Sequence, residues 1–255
     1  MNVKQLLVKL LYPDSCPICG EVQGQMLSDD GAVRICPACE KRLTRVTSPF
    51  CMKCGKPLET DRVRREYCGD CQRGTHAFVQ GRAVFVYQGA VIGSMHRLKY
   101  ANRRDYAAVF AREAYEAYGG WLGRIAPDAL IPIPLHPKRR KERGYNQADL
   151  LAEALAQLTG IPVEKKLLLR TAHTQPQKQL HARERKNNLK NAFQTSKKIV
   201  QLKRVLLVDD IYTTGSTVDA AAEALLRAGV TKVYVLCICI GGGDIGGLDH
   251  GSTDL

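Results

Sequence analysis

One stretch of the chain combines paired carboxylates with a cluster of small hydroxyl residues. Residues 205–218, VLLVDDIYTTGSTV, begin as an apolar strand that ends at Asp209 and Asp210. The turn that follows, before a helix begins, contains Thr213, Thr214, Gly215, Ser216 and Thr217. Free amides at a helix start bind phosphate, hydroxyls add donors, and glycine permits close backbone approach. The carboxylates cannot hold phosphate but suit the vicinal hydroxyls of a ribose, so the stretch predicts a ribose 5-phosphate site. Helix capping alone would explain the hydroxyls but not the paired aspartates.

The cysteines suggest a second kind of chemistry. Eight of the ten form four Cys-x-x-Cys pairs: Cys16/Cys19, Cys36/Cys39, Cys51/Cys54 and Cys68/Cys71. In a chain without an export signal, such repeated pairs indicate metal binding and not disulfides. Four thiolates complete a tetrahedral zinc site with no open position, so we expect two structural zinc ions. Sequential pairing of the units is the simpler arrangement, and an interleaved cross-brace is the alternative.

Positive charge is concentrated in one part of the chain. Residues 136–204 hold 17 Lys and Arg against 5 Asp and Glu, a balance of +12 out of the net +13 of the whole chain. Such a field attracts polyanions, although a solvated basic surface is the alternative. The densest part is PKRRKERGYNQ, residues 137–147, which could neutralise a diphosphate or hold a nucleic-acid backbone. We expect its Tyr145 to be a packing residue.

The elements that must position these residues alternate between strand and helix from residue 76 to residue 240. Strands are predicted at Ala83–Tyr87, Ala129–Ile133, Val205–Leu207 and Val233–Ile240. Helices are predicted at Tyr106–Tyr118, Gln147–Leu158 and Thr217–Ala228. This order predicts an α/β fold, a parallel sheet with helices on both faces. We expect a small cysteine-rich zinc-binding domain at residues 1–75, this α/β domain at 76–240, and a disordered glycine-rich tail at 241–255.

The 255 residues contain no apolar run long enough to span a membrane. The first residues, MNVKQLLVKLLYPDSC, lack the continuous apolar region and cleavage site of a signal peptide. A cytoplasmic location is therefore expected.

The 205–218 stretch resembles the phosphoribosyl pyrophosphate (PRPP) motif of type I phosphoribosyltransferases. Around it lie, in order, the Cys-x-x-Cys pairs, IPIPLH (131–136), RGYNQ (143–147), TQPQKQL (174–180) and NLKNAF (188–193). Together these segments are similar to the ComF family of competence proteins over nearly the full length apart from the tail. The resemblance implies a type I phosphoribosyltransferase-like domain behind a zinc-binding domain, and a link to uptake of single-stranded DNA in natural transformation.

The resemblance also implies roles for individual residues. Asp209 and Asp210 would contact the ribose 2′ and 3′ hydroxyls, and Thr213 to Thr217 the 5′-phosphate, with Mg²⁺ accompanying PRPP. The diphosphate would lie beside IPIPLH. Candidates on the diphosphate or DNA side are His136, Lys138, Arg139, Arg140, Lys141, Arg143, Arg183, Arg185 and Lys186. In such enzymes a flexible loop closes over the reacting centre, and the corresponding residues 173–193 include Gln175, Arg183, Arg185 and Asn188 as candidates. Thr213 stands where purine enzymes of this fold carry an acid, which argues against hypoxanthine or guanine salvage and leaves the acceptor unassigned.

Three functions are compatible with these features. The favoured one is a DNA-uptake factor that binds single-stranded DNA and retains a PRPP site. The second is an active phosphoribosyltransferase on an unidentified small molecule. The third is a zinc-bearing adaptor that binds PRPP without turnover. A competence DNA helicase or translocase is a candidate partner, which would hold the protein at the inner face of the membrane.

Overall fold

The computed structural model describes residues 15–22, 33–58, 66–74, 76–171, 192–196 and 202–242. Its centre is a four-stranded parallel sheet in the order β1-β6-β5-β2, and a separate antiparallel pair is formed by β3 and β4. The strands are β1 Gln80–Val86, β2 Ala129–Pro132, β3 Leu168–Arg170, β4 Phe193–Thr195, β5 Arg204–Tyr212 and β6 Lys232–Ile240. The helices are α1 Pro37–Glu40, α2 Gly69–Arg73, α3 Ala90–Tyr100, α4 Tyr106–Ile125, α5 Pro137–Arg143, α6 Gln147–Thr159 and α7 Ser216–Arg227.

The core lies on both faces of the sheet, as the nearly continuous apolar runs of β5 and β6 predict. One apolar cluster combines residues of α3, α4 and α6 with alternate residues of the strands. The other combines α7 with the β3–β4 pair and the second group of cysteines. The predicted α/β class, with a parallel sheet and helices on both faces, is therefore confirmed.

Several elements differ from the predicted ones. Strand β5 continues to Tyr212, so the paired aspartates lie within the strand and not after it. The basic segment forms α5, a short helix that was not predicted, with Pro137 at its first position. Helix α3 was not predicted, and α4 continues past Tyr118 to Ile125. The predicted flexible loop, residues 173–193, includes Phe193, but this residue belongs to β4 and its side chain is buried.

The cysteine-rich segment packs directly on the sheet. Residues 44–46 run antiparallel along the edge strand β1: the Val46 amide donates to the Val84 carbonyl, and the Val86 amide to the Thr44 carbonyl, both at 2.8 Å. The Gly81 amide also donates to the Lys53 carbonyl, at 2.6 Å. These contacts cover the open edge of β1, which would otherwise expose unpaired backbone groups.

None of the helices within the described ranges has the length and apolar character that crossing a membrane requires.

Candidate functional site

The cysteines form two clusters, each with four thiols. Cys16, Cys19, Cys36 and Cys39 make one, Cys51, Cys54, Cys68 and Cys71 make the other, and within each cluster all the sulfur atoms lie within 4.8 Å of one another. The sequential pairing is therefore confirmed over the interleaved alternative. Four convergent thiols with no other ligand type are the donor set of a structural zinc site.

Local backbone geometry aims these sulfurs. Gly20 and Gly55 follow the second cysteine of their pairs with φ of 82° and 83°, which close the tight turns. The amides of Ile18 and Cys36 both point at Cys16 Sγ, at 3.5 Å. A hydrogen bond between the Cys51 and Cys54 thiols lowers the pKa of Cys51 to about 4 and raises that of Cys54, so these two sulfurs share one proton between them.

The predicted phosphate loop connects β5 to α7 at the carboxyl edge of the sheet. Gly215 precedes the helix in the left-handed region, with φ of 79°, and α7 begins at Ser216. Thr213, Thr214 and Ser216 are exposed, and the hydroxyls of Thr214 and Ser216 lie 3.0 Å apart. The loop therefore presents hydroxyls and helix-start amides to one place, the geometry of a phosphate cradle.

The paired aspartates lie at the end of β5 beside this loop. Asp210 forms an ion pair with Lys99 of α3, with Oδ2 and Nζ 2.9 Å apart. Asp209 accepts a hydrogen bond from the Asp210 amide at 2.9 Å. Burial, and then the charge of Asp210, raises the pKa of Asp209 to about 8. Asp209 is therefore largely protonated at neutral pH, and Asp210 is paired with Lys99, a residue that sequence reasoning had not assigned to the site.

A polar cluster around His76 packs against the phosphate loop and the start of α7. Asp219, in the first turn of α7, accepts hydrogen bonds from His76 Nδ1 at 2.7 Å and from the Ala77 amide at 3.0 Å. The Tyr212 hydroxyl lies 3.4 Å from His76 Nε2. The hydrogen bond between His76 and Asp219 ties α7 to the segment that enters β1. Sequence reasoning missed it because 143 residues separate His76 from Asp219.

The basic helix α5 is held near the same edge. His136 caps it, with Nδ1 accepting from the Lys138 amide at 3.3 Å. Lys138, Arg139, Arg140 and Lys141 are exposed. Arg143 instead donates to the Tyr100 hydroxyl at 2.7 Å and lies over that ring, 4.5 Å from its centroid.

Two further expectations concern this region. Tyr145 is buried and donates to the Leu98 carbonyl at 2.6 Å, which confirms that it is a packing residue. Arg183, Arg185 and Lys186, together with Gln175 and Asn188, lie outside the described residues.

Arg170 is a site residue that the sequence prediction missed. It ends β3, and its guanidinium lies over the Phe193 ring, 5.3 Å from the centroid. Its Nε is buried and has no hydrogen-bond partner among the described residues. Burial, then the charge of Arg139, lowers its pKa, while the charge of Asp209 acts in the opposite direction. A half-buried guanidinium that interacts electrostatically with both Arg139 and Asp209 is suited to an anion. A single arginine after an apolar triplet was the only sequence signal.

Together the sheet, the loop at its carboxyl edge and the two tetracysteine clusters define a phosphoribosyltransferase-type domain preceded by zinc ribbons. Residues 7–72 match the family described as "Double zinc ribbon domain", and residues 141–251 match "Phosphoribosyl transferase domain".

Individual relatives that match over most of the chain narrow the family further. It is 35% identical to DNA utilization protein YhgH of Shigella flexneri over 80% of this chain and 89% of the relative. It is 33% identical to Competence protein F of Haemophilus influenzae over 79% and 88%. It is 29% identical to Competence protein ComFC of Bacillus subtilis over 77% and 79%. The chain belongs to this family of ComF and YhgH proteins.

Proposed function

We propose that this protein is a DNA-uptake factor that binds single-stranded DNA and carries a PRPP site at the carboxyl edge of its sheet. The observation that carries the proposal is the convergence of the phosphate loop, the acidic pair and the basic helix α5 at one edge. The names of the relatives, which refer to competence and DNA utilization, supply the DNA context.

In the PRPP site, the loop from Thr213 to Thr217 takes the 5′-phosphate through backbone amides and hydroxyls. Asp209 and Asp210 accept hydrogen bonds from the ribose hydroxyls. Arg170 and the exposed cations of α5 face the diphosphate, whose charge Mg²⁺ shares. Mg²⁺ favours carboxylate and phosphate oxygens, and the acidic pair offers that donor type here.

Calorimetry with PRPP and Mg²⁺ tests this site. Asp210→Asn should weaken binding by roughly 1.5–3 kcal/mol, because it removes a charged acceptor. Asp209→Asn should cost a similar amount above pH 8, where Asp209 is ionised, and less at neutral pH. Thr214→Ala should cost less, since backbone amides supply much of the cradle. Absence of binding to the wild type would remove PRPP from the proposal.

Single-stranded DNA is proposed to follow the basic surface of α5 and the basic residues 183–190. Affinity should fall steeply with salt, with a log–log slope of about −0.7 per phosphate neutralised. Changing Arg139, Arg140 and Lys141 together to Ala should weaken binding and flatten that slope. The triple change should weaken PRPP binding less than DNA binding, because Arg170 and the backbone amides of the phosphate loop remain. Joint loss would mean that both ligands share one basic cleft.

A second candidate is an active phosphoribosyltransferase on an unidentified small-molecule acceptor. The complete loop and both aspartates favour it. Release of diphosphate from PRPP with candidate acceptors, abolished by Asp209→Asn, would support turnover. Binding without turnover would favour the zinc-bearing adaptor. In the favoured function, a competence helicase or translocase is the proposed partner at the inner face of the membrane, and co-purification from competent cells tests it.

A further inference from the structure

A groove lies at the opposite end of the molecule from the phosphate loop. It has a volume of about 510 Å³ and lies at the amino ends of β1, β5 and β6. The second cysteine cluster forms one wall through Met52, Lys53 and Tyr67, and the end of α4 forms another. Along β5, the eight residue steps from Arg204 to Tyr212 span about 26 Å, so the groove is separate from the PRPP site.

The charge of the groove is wholly positive. Lys53, Arg124, Arg204 and Lys232 line it, and no acidic side chain does. Within the described ranges, none of these four cations lies within 4.0 Å of a carboxylate. Asp128 is the nearby acid, and it accepts hydrogen bonds from the backbone amides of Lys203 and Arg204.

Two of these cations are adjacent across the sheet. Arg204 and Lys232 are partners in the register of β5 and β6. Like charges on paired strands repel each other, and a bound anion removes that repulsion. Only Arg204 of these four cations belongs to residues 136–204, so the concentration of charge there does not predict this site.

The groove also presents one aromatic ring and a thioether to solvent. Tyr67 is 43% exposed and Met52 is 47% exposed at its rim. Trp121 forms part of the wall, and its indole Nε1 donates to Gln80 Oε1 at 2.7 Å, which fixes the ring. Exposed aromatic rings beside cations are the combination by which proteins stack bases and neutralise phosphates of single-stranded nucleic acid.

We propose that this groove is a second binding site for single-stranded DNA. It is formed by the amino edge of the sheet and by the second zinc ribbon, the segment that carries the cysteine cluster from Cys51 to Cys71. The proposal rests on the DNA binding proposed above but concerns a different surface. An acidic peptide would match the charge equally well, but it would have less use for the exposed ring of Tyr67.

Trp121 is the only tryptophan of the chain and gives a local readout. We expect its fluorescence to change when the wild-type protein binds an oligothymidylate of about 12 nucleotides, a length within known site sizes. DNA confined to α5 would leave that fluorescence unchanged because of the distance.

The main variant changes Lys53, Arg124 and Lys232 together to Ala. Loss of three phosphate contacts should make the log–log salt slope about 2 less negative, and affinity should fall roughly 50-fold at about 0.15 M salt. Tyr67→Ala should weaken binding about tenfold without changing the slope, since it removes stacking and no charge. The matched control changes the exposed Lys41, Arg42 and Arg227 to Ala and should have little effect on either quantity.

The outcomes separate this inference from the function on which it rests. If the wild type binds no DNA, both fail. If DNA binds, but Trp121 fluorescence stays constant and the groove variant behaves as the control does, the groove inference is overturned and the α5 surface stands. A fluorescence change with polyglutamate but not with DNA overturns it in favour of an acidic peptide.

Discussion

Replacement of Gly215 by Ala tests whether the phosphate loop depends on close packing beneath it. A Cβ at this position would lie 2.8 Å from Tyr212 Cζ, and closer still to the hydroxyl, and 3.1 Å from His76 Cε1. The Tyr212 side chain is 3% exposed and packs edge-on against Phe78, with centroids 6.3 Å apart, so its ring has little room to move. The left-handed φ of 79° adds a strain of roughly 1 kcal/mol for a residue with a Cβ.

Overpacking of a filled site costs roughly 1–3 kcal/mol, so Gly215→Ala should lower the free energy of unfolding by about 2–4 kcal/mol. Gly160→Ala is the matched control: its φ is 72°, but a Cβ there meets no atom within 4 Å. It should cost only the strain, about 1 kcal/mol. Both can be measured by urea unfolding followed by Trp121 fluorescence, alongside PRPP titration. Tyr212→Phe in the Gly215→Ala background should recover part of the loss. Equal destabilisation by the two glycine changes would refute the close approach.

Four further predictions concern the zinc clusters, His76 and Asp209. Protein purified without added metal should contain two zinc ions per chain by elemental analysis, and Cys51→Ser should lower that number and destabilise the protein, because the cysteine segment has little core of its own. His76→Ala should weaken PRPP binding severalfold by releasing Asp219 and the start of α7, whereas unchanged affinity in calorimetry would exclude a positioning role. PRPP affinity should rise with pH and level off above about 8, because the Asp209 carboxylate is the hydrogen-bond acceptor. Between pH 3.8 and about 8, Asp209 is protonated in the folded protein but ionised in the unfolded chain. The Asp209 contribution to the free energy of unfolding should therefore fall as pH rises through this range. This contribution should vanish in Asp209→Asn.

Local sequence patterns predicted the parts of the fold and site that depend on neighbouring residues. The Cys-x-x-Cys spacing predicts that the two thiols of each pair converge, although it leaves open which pairs share a metal, and the TTGST turn after an apolar strand predicts a helix start. Predictions were weaker where the structure of a segment depends on its contacts with other residues. No helix was predicted in the basic run beside residue 140, yet Pro137 and the cap from His136 start one there. Phe193 appeared to lie in a loop because only its pairing with Arg170 across β3 and β4 shows that it is buried.

Site residues from distant segments were beyond local patterns. Lys99 reaches Asp210 across 111 positions, and nothing within α3 indicates that its lysine faces the sheet edge. Arg45 likewise donates to Glu40 and Glu113, both at 2.6 Å, and so connects the first cysteine cluster to α4. Such pairs depend on the folded arrangement of three segments, which one sequence without its tertiary contacts does not specify.

The second zinc ribbon is joined to the phosphate loop by a short series of contacts. Lys53 lies over the Phe78 ring, 5.6 Å from its centroid, and that ring stacks on His76 with centroids 4.9 Å apart. His76 in turn holds Asp219 at the start of α7. The cysteine cluster is therefore part of the support of the phosphate cradle and not a separate appendage. Because Lys53 also lines the basic groove, the same ribbon contacts both proposed ligand sites, and zinc loss should disturb each of them.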